Sequence, residues 1–266
     1  MKKLPFCKYH GTGNDFIMID NRSKNFVLGS PDQLAILCDR RFGIGADGLI
    51  LLEESDTKDF KMIYFNADGK EGSMCGNGGR CTTAFAHAIG LIEKSTTFEA
   101  VDGDHEARIL EKTDQGSIVS LKMNDVLIIE RESNNYILDT GSPHYITFVK
   151  NAAETDVFGE GKKIRYNSRF KEKGINVNFI EPGNGTLKIR TYERGVEDET
   201  WSCGTGSVAA ALALELEGKT ISGKPVEVIT KGGKLWVDFT RNDDVFSDIW
   251  LTGPAVKVFE GFIETK

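Results

Sequence analysis

Proline, histidine and long apolar runs are all scarce in this sequence. Only 6 of its 266 residues are proline, against 29 glycines, which favours tight turns and close backbone approaches over stiff linkers. No stretch nears the roughly 20 apolar residues that span a bilayer, so no membrane partner is expected. The opening Met-Lys-Lys-Leu-Pro-Phe-Cys-Lys has no apolar run behind its charges and is not read as a signal peptide. The expected location is therefore cytoplasmic. The net charge of −7 lacks the concentrated positive field that phosphate binding needs, which argues against a nucleic-acid partner. There are 4 histidines and 5 cysteines, and they do not fall in zinc-ligand spacing. Cys75 and Cys81 are too widely separated, and Cys203 has no Cys or His near it, so no metal is expected. A Cys-x-x-Cys redox motif, a Walker A loop and a dinucleotide Gly-x-Gly-x-x-Gly loop are also missing. An odd cysteine count without an export signal reads as reduced thiols.

What is present is a globular composition, 39% apolar and 27% charged, with length for one large domain or two small ones. Alternating, β-rich runs recur at 60–65, 117–123, 187–192, 226–229 and 235–239. Ser30-Pro31-Asp32-Gln33 carries an N-cap serine, a first-position proline and a capping-box Gln, predicting a helix to about Arg40.

An internal echo is the most informative feature. Cys75-Gly76-Asn77-Gly78 opens an Ala-containing helical stretch closed by Gly90, and Cys203-Gly204-Thr205-Gly206 opens another closed by Gly218. In both, eleven residues separate the second glycine of the motif from the closing one, which sits where a left-handed C-cap is expected. Each copy follows a strand and a polar loop. The reading is two similar domains, each placing one cysteine at the N-terminus of its central helix.

That placement points to proton transfer. A helix N-terminus has unpaired N–H groups and about half a positive charge, so it favours a thiolate and accepts a carboxylate. Two such ends facing one bound amino acid would hold its carboxylate and put a sulfur on each side of the α-carbon. One thiolate would remove the α-proton and the other thiol would protonate the opposite face, with the N–H donors stabilising the carbanion-like charge. Cys7, Cys38 and Cys81 take the default reading of small buried hydrophobes. Taken singly, Asn14, Asn66 and Asn176 read as turn residues, Glu193 and Arg194 as surface charges and His144 as a loop histidine.

The ordered set of motifs resembles the diaminopimelate epimerase family. It runs through 10–16 (HGTGNDF), 41–48 (RFGIGADG), 65–69 (FNADG), 74–81 (MCGNGGRC), 141–144 (GSPH), 174–179 (GINVNF), 192–195 (YERG) and 199–206 (ETWSCGTG). The resemblance implies an α/β (α+β) fold of two pseudo-symmetric domains, each a curved, mainly antiparallel sheet around a central helix. It implies one half formed by 1–117 with 259–266 and another by 118–258. The implied reaction is interconversion of LL- and meso-2,6-diaminopimelate, a small-molecule substrate, with no cofactor, neither pyridoxal phosphate nor metal. Proline racemases and hydroxyproline epimerases, with the same fold and paired cysteines, form the alternative. Cys75 and Cys203 would be the acid–base pair, and His144 and Glu193 would tune them. Gly76, Asn77, Gly204 and Thr205 would hold the reacting carboxylate. Asn14, Asn66, Asn176, Glu193 and Arg194 would bind the rest of the substrate. Three departures stand out: Ser142 where many relatives have Asn, Gly48 where some have Gln, and a longer 195–202 loop. Phe259 stands where some relatives carry a Tyr linked to dimer contact, and a homodimer is expected from the resemblance.

Overall fold

A computed structural model of the chain describes residues 2–26 and 30–265; Met1, 27–29 and Lys266 lie outside the described residues, as do the expected domain limits at 1 and 266. The chain divides into two compact units. One comprises residues to Leu121 together with those from Gly253 onward, and the other is Lys122–Thr252.

In the first unit β1 (Lys2–Gly11) and β2 (Asn14–Asp20) pair antiparallel. Helix α1 (Pro31–Cys38) leads to β3 (Gly48–Glu53), parallel to β2, and β4 (Phe60–Asn66) returns antiparallel. Helix α2 (Gly76–Ala88) leads to β5 (Ser95–Ala100), parallel to β4, and β6 (Gly103–Thr113) and β7 (Gly116–Lys122) follow antiparallel. Residues from Gly253 onward pair with β7 and with β1, so the strands close into a ring.

The second unit begins with the hairpin β8 (Ile129–Glu132) and β9 (Asn135–Asp139). Strand β10 (Pro143–Phe148) is antiparallel to β9, and helix α3 (Val157–Arg165) leads to β11 (Asn176–Pro182), parallel to β10. Strand β12 (Thr186–Glu193) returns antiparallel, and the short β13 (Asp198–Thr200) folds back on it. Helix α4 (Gly204–Leu216) leads to β14 (Val226–Thr230), parallel to β12. Then β15 (Gly233–Asn242) and the first part of β16 (Val245–Thr265) pair antiparallel. From β1 and from β9 the order of pairing senses is identical, with a helix at each parallel crossover. The echo seen around the cysteines thus extends to the whole unit.

Both central helices are buried: α4 is small or apolar on every side, and α2 is largely small residues with a buried Asn77 and Arg80. In α4, residues 208–214 (VAAALAL) are fully buried, and a helix apolar all round belongs in a core. Burying a leucine such as Leu212 contributes about 1.5–3 kcal/mol. Helix α2 buries 11 of its 13 residues although it carries Thr82 and Thr83. Their hydroxyls donate to Gly78 O at 2.8 Å and Gly79 O at 2.9 Å, so burial orphans neither. Gly90 (φ +75°) and Gly218 (φ +66°) end the helices in the left-handed conformation. The next amides, Leu91 N and Lys219 N, donate back to Ala86 O and Leu214 O at 2.9 and 3.2 Å.

One local expectation needs correction. Helix α1 ends at Cys38, short of Arg40. Asp39 is extended and its carboxylate accepts from Arg41 N and Phe42 N, both at 2.7 Å, a local turn that competes with another helical turn. The 195–202 loop contains strand β13. Helix α3 was not anticipated from the sequence. Its signals were Asp156, whose side chain accepts from Gly159 N at 2.9 Å, and the basic last turn of Lys162, Lys163 and Arg165.

Candidate active site

Cys75 is the N-cap of α2 and Cys203 the N-cap of α4, both in extended backbone conformation. Ser, Thr, Asp or Asn normally fill this position and bond the first-turn amides through the side chain. Neither cysteine makes such a capping bond. The first ladder bonds are Gly79 N to Cys75 O (2.8 Å) and Ser207 N to Cys203 O (2.9 Å). The amides of Gly76 and Asn77, and of Gly204 and Thr205, precede those bonds and have no intrahelical acceptor. They are the donors a carboxylate would use.

In the first unit Asn14, at the start of β2, organises the surroundings of Cys75. Its Oδ1 accepts from the Cys75 thiol at 3.5 Å and from Asn77 Nδ2 at 3.3 Å. Its Nδ2 donates to Asp47 Oδ2 at 2.8 Å, which fixes the amide's orientation. Beneath the helix start, Arg80 is fully buried and donates to Asn77 Oδ1 (2.8 Å) and Gly76 O (3.3 Å), while its Nε has no partner. Burial pushes the guanidinium pKa down, and the groups that oppose this are Cys81 and then Cys75. Burial lifts the Cys81 thiol to about 12. Asn14 accepts from the Cys75 thiol, while the positive charge of Arg80 and the helix start favour an anion beside it. Asn66, the last residue of β4, is exposed on a turn, with Gly69 N donating to its carbonyl at 2.9 Å. It takes no part in the hydrogen bonds described around Cys75. At Gly48 any side chain would collide with Tyr64 Cε2 and Phe65 O, at 2.4 and 2.5 Å from its first carbon. The Tyr64 ring fills the space a Gln would need.

In the second unit Cys203 Sγ lies 3.5 Å from Thr205 Oγ1, and His144 Nε2 lies 2.9 Å from the same hydroxyl. His144, the second residue of β10, is in register with Asn176 of β11. It is fully buried, and burial, followed by the charge of Arg194, lowers its pKa to about 3. Asn176 accepts from Arg194 N at 2.9 Å and donates to Ser142 Oγ (2.9 Å) and Pro143 O (3.1 Å). The exposed Arg194 side chain donates to Lys173 O (3.1 Å) and Ser142 Oγ (3.3 Å). Ser142 therefore joins Asn176 and Arg194 through one hydroxyl. Glu193 ends β12 and accepts from Thr200 Oγ1 at 2.8 Å. Asn178, Arg80 and Asp47 were given no role from the sequence, yet each bonds to a residue around the cysteine of its own unit: Asp47 to Asn14, Arg80 to Asn77 and Asn178 to His144. Among the other thiols, burial raises Cys7 and lifts Cys38 to about 11, so both are poor nucleophiles. Among the described residues no group of three His, Cys, Asp or Glu is arranged to hold a metal ion.

Fold and site together define a class: a mixed α/β protein built on a duplicated sheet-and-helix unit, with a thiol capping each central helix. The diaminopimelate epimerase family model matches residues 6–128 and 136–258. A diaminopimelate epimerase of Flavobacterium psychrophilum is 50% identical over 258 residues, covering 97% of this chain and 99% of its own. Another, of Chlorobaculum tepidum, is 46% identical, covering 95% and 98%. Among solved structures, a phenazine biosynthesis protein of the PhzF family from Bacillus anthracis matches with a TM-score of 0.77 across 100% of both chains at 17% identity, a likeness of fold alone. The chain belongs to the diaminopimelate epimerase family, and so to the isomerases.

Proposed function

We propose that the chain interconverts LL- and meso-2,6-diaminopimelate in lysine and peptidoglycan precursor synthesis, without pyridoxal phosphate or metal. The observation that carries this reading is the pair of cysteine N-caps, each opening a buried helix with a hydrogen-bonded sulfur that makes no capping bond. In one direction a thiolate takes the α-proton, the C–H electron pair stays on carbon and spreads into the carboxylate, and the second thiol protonates the other face. The amides of Gly76, Asn77, Gly204 and Thr205 stabilise the carboxylate as charge builds. Asn14, Asn66, Asn176, Glu193 and Arg194 serve the remainder of the substrate. Arg194 suits its distant carboxylate, since a guanidinium can bind both oxygens. His144 and Glu193 act as tuning groups.

The test is incubation of the purified protein with LL-diaminopimelate in heavy water, following the α-proton by NMR. Wild type is expected to exchange it, and Cys75→Ala and Cys203→Ala are each expected to abolish turnover. Exchange of proline or hydroxyproline with diaminopimelate inert would replace this reading with that of a ring amino-acid epimerase.

A cytoplasmic homodimer completes the proposal. No described helix is long and apolar enough to cross a membrane. Val258, Phe259 and Phe262 on the C-terminal strand are exposed, which supports a covered face there. Light scattering that gives a monomer mass would remove the dimer.

A further inference from the structure

Asn178 is a fully buried polar residue in β11, among apolar neighbours, with no role in the reading above. Its amide orientation is fixed from both ends. Oδ1 accepts from Thr191 Oγ1 at 2.9 Å, and Nδ2 donates to Tyr145 O at 3.2 Å. The same Nδ2 lies 3.1 Å from His144 Nδ1. A donor facing Nδ1 requires that nitrogen to be bare. In a neutral imidazole the proton must then sit on Nε2, and Nε2–H donates to Thr205 Oγ1 at 2.9 Å. With that lone pair occupied, the hydroxyl's own proton is free to face Cys203 Sγ, 3.5 Å away.

We infer that Asn178 is a positioning residue: it holds His144 in the Nε2–H tautomer, which turns the Thr205 hydroxyl into a hydrogen-bond donor to the Cys203 thiolate. The opposite tautomer would reverse the last link. A bare Nε2 would take the Thr205 proton and present only a lone pair to the sulfur, favouring S–H over S⁻. The direction of three hydrogen bonds, set in the core of the second unit, thus selects the basic form of one thiol. Burial keeps His144 neutral, so the chain acts by dipoles and no proton moves along it. The close fit of Gly206 against this group supports a built arrangement: a side chain there would start 2.5 Å from Asn178 Oδ1 and 3.3 Å from both Cys203 Sγ and His144 Cε1.

The inference rests on the epimerase reading only in taking Cys203 as an acid–base thiol, and its test needs no substrate. The full-length protein is alkylated with iodoacetamide across pH, and modification of Cys203 is quantified by peptide mass spectrometry. Thr205→Val is expected to slow Cys203 alkylation at neutral pH by about tenfold, the loss of one charge-assisted hydrogen bond, and to move its midpoint upward. Thr205→Ser should restore both. Asn178→Ala should shift the midpoint the same way, but add nothing in the Thr205→Val background, because it acts through that hydroxyl. Charged and titratable groups near this end of the unit include His144, Glu193 and Arg194, with Asp139 at the end of β9 and Glu199 of β13, and α4 has no acid in its first turn. The variants leave all of these in place. Independently, ¹⁵N NMR of the wild type, assigned by loss of signal in His144→Gln, should show protonated Nε2 and bare Nδ1. A protonated Nδ1, or additive shifts in the double variant, overturns the inference. Failure of α-proton exchange with these results intact would instead remove the epimerase reading.

Discussion

Asn14 and Asp47 are joined side chain to side chain, with Asn14 Nδ2 donating to Asp47 Oδ2 at 2.8 Å and Asn14 Oδ1 thereby turned toward the Cys75 thiol. Asp47 is itself held by Arg40, which donates to its other oxygen at 2.7 Å. Arg40 also binds Asp15, whose carboxyl burial alone would raise, but which Arg40 and Lys8 hold well below the usual carboxylate range. A charged lattice at the start of β2 therefore sets a neutral amide.

Removing the anchor should loosen that amide without unfolding the unit. Asp47→Ala is expected to cut turnover by about tenfold, a misplacement effect, while changing stability little because its ion pair is partly exposed. Asp47→Asn, which still offers an oxygen, should retain more activity. A wild-type rate in Asp47→Ala would show that the Asn14 orientation is immaterial.

The two motif glycines Gly78 and Gly206 occupy equivalent positions but meet different walls. A methyl on Gly78 would meet the flexible ends of Ile50 and Met62, each 3.1 Å away, and Cys75 Cβ at an ordinary 3.7 Å, whereas one on Gly206 would strike Asn178 Oδ1 at 2.5 Å. Gly206→Ala should therefore cost about 1–3 kcal/mol and most of the activity, despite alanine's better helix propensity. Gly78→Ala should be near neutral in thermal melts. Equal melting temperatures for the two variants would contradict this.

The contrast shows which features could be read in advance. The cysteine N-caps, the closing glycines and the duplicated fold were legible because each is local: a repeated motif, a left-handed terminator, an Ala-rich helix. Asn178 was not, because in sequence it is one polar residue inside a strand. Its meaning comes from the parallel register of β10 and β11, which brings it to His144. Arg80 was likewise opaque, since a charge among small polar residues reads as solvent-facing until its burial is seen. Helix α3 was missed because its apolar stripe is short and interrupted by a glycine, running Val157, Gly161 and the partly buried Ile164. The Asn66 assignment came from the family resemblance alone.

His144 should make the protein acid-sensitive. Its folded pKa of about 3 lies below the ordinary value of 6.5, so below 6.5 the unfolded chain binds a proton that the folded chain refuses. Stability is then complete above pH 6.5 and falls as pH drops toward 3, at up to about 1.4 kcal/mol per pH unit. His144→Gln removes this component. Urea unfolding at pH 7.5 and 4.5 should show a smaller loss in the variant than in wild type, and parallel losses would refute it.

Arg80 offers the clearest separation of stability from chemistry. A buried guanidinium bonded only to neutral acceptors costs desolvation that these bonds offset in part, so its fold contribution is small or negative. Its charge, however, lies under the helix start, where the proposed mechanism calls for a thiolate at Cys75. Arg80→Met keeps the bulk and deletes the charge. It should leave the melting temperature unchanged or raised while slowing Cys75 alkylation at pH 7 by about tenfold, since losing a nearby positive charge disfavours the anion. Cys203, in the other unit and served by Thr205, should keep its wild-type profile in the same sample and so acts as an internal control. A Cys75 profile unmoved by Arg80→Met would mean that the helix terminus alone sustains the thiolate.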